Sequence, residues 1–96
     1  MANSNYLSAP AANTAAAVTL GSNERHITRL VWSYSGAPTG GSVIITENGV
    51  PMFKALITAA GPGFLPVGQN YASGVAVVAT LAAGGDGVTG TLTVVP

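Results

Sequence analysis

Ile44-Ile45-Thr46-Glu47-Asn48-Gly49-Val50-Pro51-Met52-Phe53 is the stretch that decides the fold class. Asn-Gly is the preferred pair for a two-residue type I′ turn, whose twist matches that of the strands it joins, and both flanks here are rich in apolar and β-forming residues. The stretch reads as a β-hairpin. An unbroken register from the turn sets Glu47 opposite Val50, Ile45 opposite Met52, Ile44 opposite Phe53 and Val43 opposite Lys54. Because side chains alternate across a strand, one face then carries Ile44, Phe53, Ala55 and Ile57. The other carries Val43, Ile45, Met52 and Leu56, with Glu47 and Lys54. Both faces are apolar, whereas an isolated antiparallel sheet usually keeps one face polar. The expectation is that Ile44, Phe53 and Ile57 form core while Val43, Ile45, Met52 and Leu56 meet a partner.

Outward from the hairpin, the chain alternates short β-type runs with glycine-rich breaks. The runs are Thr14 to Leu20, His26 to Ser35, Ser42 to Glu47, Val50 to Thr58, Phe64 to Val67, Val75 to Leu81 and Val88 to Val95. Thirteen glycines and six prolines punctuate them, since glycine supplies positive φ and proline fixes φ and removes a donor. This spacing predicts an all-β domain over 14–96: a small antiparallel β-sandwich or jelly-roll-like barrel of about seven short strands. In the second run Leu30, Trp32 and Tyr34 share one side and Ile27 and Val31 the other. In the last, Val88, Leu92 and Val94 alternate with Thr89, Thr91 and Thr93, a plain core-in, water-out pattern. Residues 1–13, MANSNYLSAPAAN, follow neither period. They read as an extended or flexible N-terminal arm, with Tyr6 and Leu7 as the bulky apolar residues that would dock if a partner orders it.

Charge is scarce. Glu24, Arg25, Arg29, Glu47, Lys54 and Asp86 are the ionised side chains among 96 residues, beside His26, and the formal net charge is zero. A folded chain of 9.4 kDa exposes roughly 5,000 Å², and a free-standing domain commonly carries about 25–35% charged residues on that surface. Much of this surface is therefore expected to be covered by neighbours. Three cations make no basic patch for nucleic acid or an anionic membrane, so neither is an expected partner. The longest nearly apolar run, Val75 to Ala83, falls short of the roughly 18 residues that a spanning helix needs. Residues 1–13 lack the basic and apolar regions of a secretory signal, which favours the producing cell's cytoplasm. Without cysteine there is neither a disulfide framework nor a thiolate metal site.

Catalytic patterns find little here. His26 is the one imidazole, and no Gly-x-Ser-x-Gly elbow occurs. The carboxylates Glu24, Glu47 and Asp86 fall in three separate turn regions, and Glu24 with His26 would give a metal two ligands at best. Gly85-Asp86-Gly87-Val88-Thr89-Gly90 matches a dinucleotide-loop pattern, but that pattern needs a helix after it, and the segment beyond Gly90 is β-forming. The expectation is a non-enzyme with no cofactor. Aromatic rings could instead form a carbohydrate- or receptor-binding platform, with Trp32, Tyr34 and Tyr71 as its residues, though core packing is the ordinary fate of such rings.

The stretch from Ala72 to Val88, ASGVAVVATLAAGGDGV, set in a small Ala-, Gly-, Val- and Thr-rich β chain with a polar Ala and Asn arm, no cysteine and few charges, resembles the small virion proteins of tailed bacteriophages, above all head decoration or cement proteins. The resemblance is one of style over the β region and not of a specific motif. It implies a structural protein that binds the major capsid protein lattice at symmetry axes, often as a trimer, and reinforces it, with assembly in the host cytoplasm. The alternative is a carbohydrate- or receptor-binding β-module, such as part of a tail fibre.

Overall fold

The apolar and β-branched runs become strands, and the glycine-rich breaks become the turns between them. The computed structural model describes residues 6–7, 11–12, 14–21 and 25–96, with side chains from residue 14 onward. The strands are β1 (Tyr6–Leu7), β2 (Ala11–Ala12), β3 (Ala16–Thr19), β4 (His26–Tyr34), β5 (Gly41–Glu47), β6 (Val50–Ile57), β7 (Gly63–Asn70), β8 (Val77–Leu81) and β9 (Thr89–Val95). All seven sequence-predicted runs contain a strand. Among the described residues no helix is long and apolar enough to cross a membrane. The arm's Tyr6–Leu7 and Ala11–Ala12 run antiparallel to β9. The docking expected of the Tyr6 and Leu7 side chains lies outside what is described, as does the remainder of the arm.

Two sheets form, one ordered β1-β9-β4-β7 with β2 also on β9, the other β3-β8-β5-β6. Every pairing in them is antiparallel, and the pairs nest around the hairpin: Glu47↔Val50, Val31↔Phe64, Ala17↔Thr80 and Leu7↔Thr93. The chain is thus one long hairpin, tip at Asn48-Gly49, wound so that successive segments fall alternately into two facing sheets. With β1 and β2 counted as one interrupted edge strand, this is the eight-stranded jelly roll. Ile27, Leu30, Leu92 and Val94 of the first sheet meet Val18, Val43, Ile45, Val77, Ala79 and Leu81 of the second in the core. The last strand behaves as its pattern requires, with Leu92 and Val94 buried and the threonines half-exposed.

The turn has the expected form, since φ is 51° at Asn48 and 82° at Gly49, as type I′ demands. Its tip is also tied down: Asn48 N–H donates to Ala76 O at 2.7 Å, and Asn48 Oδ1 accepts from Ala76 N–H at 2.9 Å. The register beyond the turn corrects the sequence-based expectation. Glu47↔Val50 and Thr46↔Pro51 pair as they should, but the next pairs are Ile45↔Phe53, Ile44↔Lys54 and Val43↔Ala55. Met52 is an extra residue in β6, a β-bulge beside a proline that cannot donate to the ladder. A one-residue slip exchanges faces. Val43 and Ile45, expected at a partner interface, are 0% exposed, while Ile44, expected in the core, is half-buried on the outer face. Phe53, Ala55 and Ile57 do face inward.

A second irregularity lies between Ile27 and Arg29 where β4 pairs with β7. It turns Ile27 inward together with Leu30 and Tyr34, and leaves Val31 half-buried on the outer side. The expected separation of Ile27 from Leu30 and Tyr34 is corrected accordingly.

Candidate interaction surface

Four large apolar side chains stand out in solvent: Val50 (57% exposed), Met52 (62%), Leu56 (78%) and Phe64 (65%). Val50, Met52 and Leu56 belong to β6, the edge strand of one sheet, and Phe64 to β7, the edge strand of the other. Beyond the bulge, alternation puts Lys54 and Leu56 on the outer face with the bulged Met52 leading into them, while Val50 pairs with Glu47 on the turn side of the bulge. Single exposed apolar residues need no explanation, but several along an open eight-residue edge strand are a template for association. Of the interface candidates read from sequence, Met52 and Leu56 are therefore at the surface.

Where the edges of β6 and β7 diverge, a cavity of about 180 Å³ opens, lined by Glu47, Met52, Phe53, Val67, Gln69 and Tyr71. Tyr71 is buried, and its N–H donates to Arg25 O at 2.6 Å. Burial first, and the nearby Glu47 charge second, hold its phenol above the usual tyrosine range. Arg25 fixes this end of the sandwich. Its guanidinium donates to the carbonyls of Gly21 at 3.1 Å, Ala72 at 2.7 Å and Val75 at 2.6 Å. No local sequence pattern announces that role, because two of the acceptors, Ala72 O and Val75 O, are main-chain groups of a remote loop.

The proposed aromatic platform does not form. Tyr34 is buried, its hydroxyl donates to Ala82 O at 2.6 Å, and burial raises its pKa against an opposing backbone hydrogen bond at Ser42. Trp32 is half-buried and tilted against Tyr34, with ring centroids 6.2 Å apart. It also lies on the backbone of the next turn: a Cβ at Gly61 would come within 2.6 Å of Trp32 Cζ3, and one at Gly63 within 2.5 Å of Cζ2. Tyr71 sits at the other cavity. Among the described side chains the exposed ring is Phe64, beside Arg29, Val31, Pro62 and Gly63 in an open groove of about 270 Å³. Sequence reading missed it, although the alternation of Phe64 and Pro66 with the inward Leu65 and Val67 was the available signal.

Of the polar residues weighed for chemistry, His26 Nδ1 lies 3.4 Å from Thr28 Oγ1, whose hydroxyl donates to Pro96 O. Glu24 lies outside the described residues. Among those described, no three His, Asp or Glu side chains gather as metal ligands. The Gly85-Asp86-Gly87 segment is a turn with positive φ at both glycines, leading into β9.

No protein-family model matches the chain, and no curated protein sequence does. Among solved structures it is similar to a carbohydrate-binding module, CBM36, determined in complex with calcium and xylotriose. The identity is 14% and the TM-score 0.48, covering 88% of this chain and 74% of that one.

Proposed function

We propose that this chain is a non-enzymatic structural subunit that works by burying its β6 edge against copies of itself, within a larger assembly of the kind that bacteriophage decoration proteins form on a capsid lattice. The observation that carries the reading is the exposure of Val50, Met52 and Leu56 together on an open edge strand. Docking would hide over half of each side chain, about 1–2 kcal/mol apiece, or about 6–12 kcal/mol gross across two copies. Association costs about 4–15 kcal/mol. A single contact is thus weak, and repetition around a lattice gives it strength, which suits a reinforcing subunit better than a free-standing dimer. Sedimentation velocity on the wild type and on the double variant Met52→Ser/Leu56→Ser tests this. The variant is expected to stay folded by circular dichroism and to lose self-association, and a wild type that remains monomeric overturns the reading.

A second reading has one observation in its favour. The exposed Phe64 ring shares its groove with Arg29, a pairing of residue types on which a sugar would stack and hydrogen-bond. Binding of an oligosaccharide that is lost in Phe64→Ala, with no change in oligomer mass, would favour this reading over assembly.

A further inference from the structure

The cavity where β6 and β7 diverge holds two polar groups that the chain itself leaves unpaired. Tyr71 is 7% exposed, yet among the described residues no hydrogen bond reaches its hydroxyl, whereas a buried phenol ordinarily finds a partner. The Glu47 charge acts on that phenol, and both side chains line the same cavity. Glu47 ends β5 half-buried on the inward side, in alternation with Val43 and Ile45. Its carboxylate likewise has no hydrogen bond or ion pair among the described residues.

No lysine or arginine of the chain answers that charge. Arg25 spends its guanidinium on the carbonyls of Gly21, Ala72 and Val75. Arg29 lines the separate Phe64 groove, and Lys54, paired with Ile44, stands on the outer face of its sheet, away from the cavity. A carboxylate in a concave site without a counter-charge favours a cationic occupant. Gln69 adds a further polar wall, since its Nε2–H donates to Asn70 O at 3.3 Å and leaves Oε1 as an acceptor. The Glu47 carboxylate, the Tyr71 hydroxyl and Gln69 Oε1 thus offer one acceptor for each N–H donor of a primary ammonium. Met52, Phe53 and Val67 complete the lining with apolar surface, along which a methylene stem packs while its charged head is held. The volume, about 180 Å³, exceeds the ~150 Å³ apolar cavity that admits benzene, and n-butylammonium is smaller than benzene by one heavy atom.

We infer that this cavity is a binding site for a primary alkylammonium group, its N–H donors shared among Glu47, Tyr71 and Gln69 and its stem lying against Met52, Phe53 and Val67. Such a group comes from either of two sources, a free aliphatic amine or a lysine side chain of another protein. The site goes beyond the self-assembly reading and does not rest on it, because a chain that stays monomeric keeps the cavity.

Amide NMR titrations with n-butylammonium chloride test the site. Saturable shift changes centred on Glu47, Met52, Gln69 and Tyr71 are expected, with n-butanol, the neutral chain of equal length, binding at least about tenfold more weakly. Glu47→Gln, which keeps the side chain's shape and removes its charge, should lose at least about tenfold in affinity. Tyr71→Phe, which removes only the unpartnered hydroxyl, should lose less, and both variants should remain folded by circular dichroism. A parallel titration with Nα-acetyl-lysine methylamide separates the sources: binding as tight as that of n-butylammonium assigns the site to a lysine of a protein partner, and binding of n-butylammonium alone assigns it to a free amine. No saturable shift with either amine, n-butanol binding as tightly as n-butylammonium, or a folded Glu47→Gln chain that binds n-butylammonium as the wild type does overturns the inference. The n-butanol comparison, made on the wild type, decides the matter if Glu47→Gln does not fold.

Discussion

Replacing Ile45 by alanine should be severe, and replacing Ile44 mild. Ile45 is 0% exposed, opposite Phe53 on β6 and Ala79 on β8. The truncation removes three carbons, worth about 2.4 kcal/mol at ~0.8 kcal/mol each. A cavity left only partly filled adds about 1–2 kcal/mol at ~24 cal/mol per Å³. The sum is about 4 kcal/mol, and at ~4–8 °C per kcal/mol for a domain of this size the melting temperature should fall by about 15–30 °C. Ile44 loses the same atoms from a half-exposed position paired with Lys54. Its change should cost about 1 kcal/mol. Thermal melts recorded by circular dichroism at one fixed, low protein concentration compare the two without a shift from association. If Ile44→Ala proves the more damaging, β5 and β6 keep an unbroken register, the bulge at Met52 does not exist, and the exposed residues of β6 are wrongly placed.

The same packing sets other outcomes. Gly63→Ala should cost about 1–3 kcal/mol by overpacking, because its new Cβ would fall 2.5 Å from Trp32 Cζ2; the emission of the single tryptophan should shift with it, and unchanged emission and melting would count against the Trp32 placement. The pH response has a fixed sign: Tyr34 and Tyr71 are raised above the ordinary 10.0 in the folded chain, so above about pH 10 the unfolded chain sheds protons that the folded one keeps. Stability is then full below pH 10 and falls as pH climbs through the raised values, so melts at about pH 11 should lie below those at about pH 9, and equal melts would contradict the burial of both phenols.

The hairpin, the seven main strands and the inward face of β9 were legible because each rests on a local rule: the demand for positive φ at Asn48-Gly49, and alternation in strands long enough to show it. Val43 and Ile45 were misread for one reason. A β-bulge is a property of the pair of strands, and Pro51 was its only trace in the sequence. The irregularity opposite Ile27 puts its extra residue in β7, where Gly68 at positive φ is its trace. Phe64 was passed over because a short run flanked by glycines and prolines gives alternation little length in which to appear. The Arg25 bonds to Ala72 and Val75 and the Glu47–Tyr71 cavity join residues distant in sequence, which no local pattern encodes.

That the outer edge of β6 is an interface is the central claim, and amide hydrogen exchange read at two protein concentrations addresses it strand by strand. Strand β3 is the opposite edge of the same sheet and serves as the internal control. Peptides covering Val50–Ile57 are expected to exchange more slowly at high concentration while those covering Ala16–Thr19 do not change. Exchange in β6 that is independent of concentration, or that slows no more than in β3, would contradict the claim.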